Sequence, residues 1–126
     1  MDEIILGFEN SKIKMLIHDN LWCEMYLVKN KEVIALGGER LKKIISGLSN
    51  VLNPKIDRKY FDYQNMKLFT IFNLMGPHAV ITGRKCNDSK IELIFLDVNG
   101  GVMPMVHLSL EDITEWVNKL EKYNNL

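Results

Sequence analysis

Cys86 stands in the run Arg84-Lys-Cys-Asn-Asp88, where two adjacent cations would lower a thiol pKa and favour the reactive thiolate. Nucleophilic catalysis also needs a base and an oxyanion site, and neither is legible beside it, so the run reads as a turn. His18-Asp19 has the composition of an oriented acid–base pair, yet it falls where a strand gives way to a turn, and an exposed turn histidine is the simpler expectation. Metal binding would need ligands at set spacing, but His18, His78 and His107 stand alone, with no C-x-x-C or H-E-x-x-H motif. Cys23 alternates with Met25 and Leu27 and is expected to be a small apolar core residue. Gly37-Gly38 precedes a helical pattern, so its amides either hold an anion or make a tight turn, whereas Gly100-Gly101 marks a hairpin tip. No catalytic residue, metal or cofactor is expected from these runs.

Residues 53–65, NPKIDRKYFDYQN, have the most binding-like composition in the chain. Asp57, Arg58, Tyr60, Phe61, Asp62 and Tyr63 mix aromatics with charge, as interface hot spots do, and they fall where an exposed connector is expected. They are the candidate partner-binding residues. The competing expectation is that Tyr60 and Phe61 plug a gap between two halves of the fold. A second candidate surface is a strand face with Lys12, Lys14, Tyr26 and Lys29, which offers charge for phosphates and a ring for stacking. Met103 and Met105, two of seven methionines, suit either an adaptable surface or core filling.

These residues need elements to position them. Ile13, Met15 and Ile17 alternate with Lys12 and Lys14, the period-2 pattern of a half-buried strand. With turn chemistry at Asn10-Ser11, Asp19-Asn20 and Asn30-Lys31, the first third of the chain predicts strands at about 3–8, 12–18, 21–28 and 32–36. Leu41, Ile44, Ile45, Leu48 and Leu52 then form one apolar stripe, predicting a helix over about 38–52 that Asn53-Pro54 ends.

After the connector the plan recurs. Strands are expected at about 66–75, 78–85, 90–98 and 102–108, with Asn99-Gly100-Gly101 as a hairpin signal and Pro104 confining the last to an edge or bulge. Ser109 and Asp112 have the spacing of a capping box, and Leu110, Ile113, Trp116, Val117 and Leu120 make a second stripe. LGGERLKKIISGL (36–48) aligns with LSLEDITEWVNKL (108–120) at Leu36/Leu108, Glu39/Glu111, Leu41/Ile113, Ile44/Trp116, Ile45/Val117 and Leu48/Leu120. The expectation is one α+β domain of antiparallel sheets and two helices, a pseudo-repeat of ββββα units at 1–52 and 66–123.

That doubled plan resembles the Whirly family and related coactivators that bind single-stranded DNA. Their lysine-rich signature, KGKAAL, is absent, with Lys12-Ile-Lys14 its nearest counterpart. It also resembles some immunity proteins of contact-dependent growth inhibition systems, small cytoplasmic proteins that neutralise a toxin domain. The composition agrees with the second group. Sixteen Lys and Arg balance sixteen Asp and Glu over 126 residues, so no large basic footprint for nucleic acid or anionic lipid is expected. No apolar run approaches the roughly 20 residues of a membrane span, and MDEIILGFEN lacks the positive start and long core of a secretion signal, which predicts the cytoplasm and reduced thiols. The functional expectation is a non-enzymatic immunity-type protein that occludes a cognate toxin, a nuclease by preference. The alternative is single-stranded nucleic-acid binding.

Overall fold

A computed structural model describes residues 2–8, 11–29, 31–53, 55, 57–76, 78–97 and 106–124. Four strands, β1 (Asp2–Phe8), β2 (Ser11–Ile17), β3 (Trp22–Lys29) and β4 (Glu32–Arg40), form an antiparallel sheet in chain order and lead into α1 (Leu41–Leu52). A short β5 (Phe61–Tyr63) then opens a second antiparallel sheet, completed in order by β6 (Met66–Asn73), β7 (His78–Asn87), β8 (Lys90–Asp97) and β9 (Val106–Ser109), and α2 (Leu110–Asn124) follows. The fold is α+β, two antiparallel sheets with two helices. In each sheet a run of four sequential strands precedes the helix.

Alternation decides which face of the first sheet is buried. Ile13, Met15, Ile17, Cys23, Met25 and Leu27 all lie inward, while Lys12, Lys14, Glu24 and Tyr26 occupy the opposite face. The inner residues join the stripes of α1 and α2 and one face of the second sheet, through Phe69, Ile71, Phe72, Ile81, Ile91 and Leu93, in a single apolar cluster. All eight helix positions paired in the sequence alignment, from Leu41/Ile113 to Leu48/Leu120, are buried. Glu39 and Glu111 do not correspond: the first is a strand residue and the second lies in the first turn of α2. Helix α1 crosses β6 at Gly47, where a Cβ would lie 2.5 Å from the Ile71 carbonyl oxygen. Any larger residue would lift the helix off the sheet.

The two helices are capped differently. In α2, the Ser109 hydroxyl donates to Asp112 Oδ2 at 2.7 Å and accepts from the Asp112 amide at 3.0 Å, while the Ser109 amide also donates to Asp112 Oδ2 at 2.9 Å. This is the expected capping box, with aspartate in the reciprocal position. Ser109→Ala is therefore expected to cost about 1 kcal/mol in denaturant titrations. Helix α1 has no side-chain cap, and its Leu41 amide instead donates to the Leu21 carbonyl at 2.9 Å. Leu21 holds a left-handed φ of 65° to present that oxygen.

Three expectations need correction. The helix does not begin at 38: β4 continues through Gly37 and Gly38 to Arg40, because both glycines pair with β3. The connector is not free of regular structure, since Phe61, Asp62 and Tyr63 pair with Leu68, Lys67 and Met66. Gln64 and Asn65 turn that hairpin at φ 46° and 65°, a two-residue turn made without the glycine that usually signals one. Cys86 is not a turn residue but lies in β7, where the register with β8 shifts between Lys85 and Asn87. The described part of the last expected strand lies in β9, Val106–Ser109. The hairpin signal Asn99-Gly100-Gly101, Pro104, Met103 and Met105 lie outside the described residues.

Candidate functional site

The connector runs from the C-terminus of α1 to the outer edge of the second sheet. Arg58 anchors it: a half-buried guanidinium donates from Nη2 to the Val51 carbonyl and sits 4.9 Å from the Phe69 ring centre. One cation thus satisfies a carbonyl left open by the last turn of α1 and lies where the helix dipole favours positive charge. Tyr60 meets the same ring edge to face, with centroids 5.8 Å apart and planes at 79°. Phe69 in turn covers Gly83 across the β6–β7 pair, where a Cβ would approach its Cζ to 2.6 Å. Bare backbone under the ring gives Phe69 its seat, and Phe69 seats Arg58 and Tyr60.

Beside this stack is an open cleft of about 350 Å³ between α1 and β6, lined by Asn50, Asp57, Arg58, Lys59, Thr70 and neighbouring backbone. The six candidate residues do not form one patch. Alternation about β5 puts Asp62 on the side of Phe69 and its cleft, and Phe61 and Tyr63 on the opposite side of the sheet. There Tyr63 is half-buried against Leu68, Ile94 and Leu96, so it is a packing residue before it is a contact. Tyr60 and Phe61 remain open, at 49% and 36% exposure, and Asp57 and Asp62 are exposed. Tyr60 braces Phe69 without being swallowed by the core.

The second candidate surface is the outer face of the first sheet. Lys14 lies 3.6 Å from Glu3, and the Tyr26 hydroxyl donates to Glu24 Oε2 at 3.0 Å. That hydrogen bond, with lesser contributions from burial and from the Glu24 charge, raises the Tyr26 pKa above its ordinary value. Glu24 Oε1 also stands 3.5 Å from His18 Nε2, so His18 is a half-buried neighbour of a carboxylate and not a bare turn residue. Carboxylates are therefore threaded among the cations of this face. Lys12 is exposed, and the Lys29 side chain lies outside the described residues.

No family model, curated protein or solved structure matches this chain.

The remaining chemical candidates are placed as follows. Gly37 and Gly38 carry no anion site, because the Gly38 amide already donates to the Met75 carbonyl at 2.8 Å and its carbonyl accepts from Met75 at 2.7 Å. Among the described residues no group of three or more His, Cys, Asp or Glu side chains could hold a metal ion. No helix among them is long and apolar enough to cross a membrane. Cys86 is exposed, its thiol 3.8 Å from the Arg84 carbonyl. The side chains of His78 and His107 lie outside the described residues.

Cys23 is fully buried, and desolvation pushes its thiol from 9.0 up to about 11. The folded state therefore holds a proton that the unfolded state releases, so Cys23 contributes stability below pH 9 that is lost as pH rises toward 11. The loss is at most about 2.7 kcal/mol at 1.36 kcal/mol per pH unit. Urea titrations from pH 8 to 11 should show wild type losing stability faster than Cys23→Ala. Parallel curves would mean that the thiolate reaches water in the folded state.

Proposed function

We propose that this chain is a non-enzymatic, immunity-type protein that acts in the cytoplasm by binding a cognate toxin domain and covering its active site. The observation that carries this reading is the braced connector. Tyr60 and Phe61 are exposed aromatics on the two sides of the edge formed by β5, one held against Phe69 and the other fixed in a hairpin strand, with exposed Asp57 and Asp62 on the side of Tyr60. Aromatic anchors whose conformations are set before binding lose little entropy on docking, and central aromatics carry most of the energy in such interfaces. Flanking carboxylates suit a basic partner such as a nuclease and would speed its encounter. Two four-strand runs, each followed by a helix, are the element order in which the chain resembles some immunity proteins of contact-dependent growth inhibition systems.

The test is growth rescue. Cells producing the toxin domain encoded beside this chain are expected to recover when the chain is co-expressed, and not when it carries Tyr60→Ala and Phe61→Ala together. Absence of rescue by the wild-type chain, at matched soluble expression, would remove the proposal.

A further inference from the structure

Among the described residues the two sheets are bridged along their strands at Gly38 and Met75, and that contact creates a groove on the outer face of the first sheet. Gly38 and Met75 exchange both backbone hydrogen bonds there, and the chains on either side approach so closely that only glycine fits. Gly37 holds φ 143° with a would-be Cβ 2.8 Å from the Met75 carbonyl oxygen, and Gly76 holds φ 154° with a would-be Cβ 2.7 Å from Gly37 Cα. Over this floor opens a groove of about 210 Å³, walled by Trp22, Glu24, Tyr26, Ala35 and Met75. The Trp22 indole covers Gly38, whose Cβ would approach its Nε1 to 2.6 Å. Met75 is the most exposed large apolar residue described, at 68%.

Among the described residues, the charge lining this groove has one sign. Glu24 is the one carboxylate among the described residues that lines it, and no described Lys, Arg or His does. Two cations lie opposite its walls in register and are otherwise placed: Lys14, opposite Tyr26, is held by Glu3, and Arg40, opposite Trp22, is not among the lining residues. Among the described residues on this face, His18 Nε2 neighbours one Glu24 oxygen and the Tyr26 hydroxyl donates to the other, and a carboxylate oxygen can accept two hydrogen bonds. Two aromatic rings, an exposed thioether and an acceptor carboxylate on a flat glycine floor match a planar cation that can stack and donate in parallel.

We propose that this groove receives an arginine side chain of a protein partner, its guanidinium bonded to Glu24 and lying against Trp22 and Tyr26. Only the partner's being a protein rests on the function proposed above. Arginine fits better than lysine, because a compact ammonium holds its water more tightly and cannot stack. It fits better than a quaternary ammonium, which has no donor for the carboxylate.

The test needs no toxin. Two tryptophans give two indole N–H resonances, and Trp22→Phe assigns them. Titration with Nα-acetyl-arginine amide is expected to shift the Trp22 resonance saturably and leave Trp116 in place, while the neutral isostere Nα-acetyl-citrulline amide shifts neither. Glu24→Gln is expected to weaken arginine binding about tenfold, the change that ~1.4 kcal/mol brings. Tyr26→Phe, which keeps the ring and frees a carboxylate oxygen, should bind at least as tightly. An unmoved Trp22 resonance, equal response to citrulline, an unaffected Glu24→Gln, or tighter binding of tetramethylammonium than of arginine amide would each overturn the proposal. Growth rescue reads the immunity function separately, so failure of one does not imply failure of the other.

Discussion

Trp116→Ala is expected to lower the unfolding free energy by about 4 kcal/mol, the largest loss anticipated from any single truncation in this chain. Its side chain is 6% exposed and lines the same narrow internal void as Met15 and Met25 of the first sheet, Ile44 and Leu48 of α1, and Phe72 of the second sheet. Removing the indole thus strips contacts from both sheets and both helices at once, and the sheets cannot close on the cavity because Gly37, Gly38 and Met75 fix their separation. Urea unfolding followed by far-UV circular dichroism measures the loss. A change below about 1 kcal/mol would mean that the site collapses freely and that the four layers do not share one packed core.

The second large effect is on binding. If the proposed toxin domain is the partner, Tyr60→Ala combined with Phe61→Ala is expected to weaken association with it by about 100-fold or more, the scale of a central hot spot. Stability should fall by about 2 kcal/mol or less, from the lost Tyr60–Phe69 ring contact and the partial burial of both side chains, which are 49% and 36% exposed in the free protein. Calorimetric titration and thermal melts of the same samples separate the two quantities. A variant that binds normally would remove the connector from the interface, and one that unfolds would make these residues plugs between the two halves.

Much of the fold was legible because it rests on local periodicity. Ile13, Met15 and Ile17 alternate, Ile44, Ile45 and Leu48 fall on one helical stripe, and Ser109 and Asp112 are three apart; each pattern alone dictates an element or its cap. What escaped depends on contacts distant in sequence. Gly37-Gly38 looks like the approach to a helix until Met75 is known to pair with Gly38, a partner no local pattern announces. The β5 hairpin turns on Gln64-Asn65, where asparagine tolerates a left-handed backbone but glutamine is an unusual choice. Asp57, Arg58, Tyr60, Phe61, Asp62 and Tyr63 were legible as a composition, yet their division between two sides of a strand followed only from the pairing with β6. The Trp22, Glu24 and Tyr26 groove had a signal in its alternating outer face, but its far wall, Met75, comes from the other sheet.

The proposed function depends on the outer surface of the molecule engaging another protein. The direct measurement is titration of the purified chain into the purified toxin domain while the toxin's activity is followed in the same cell. The account predicts a saturable 1:1 complex whose formation abolishes activity in proportion to the fraction bound. Full toxin activity in the presence of excess chain, with no heat of association, would contradict it.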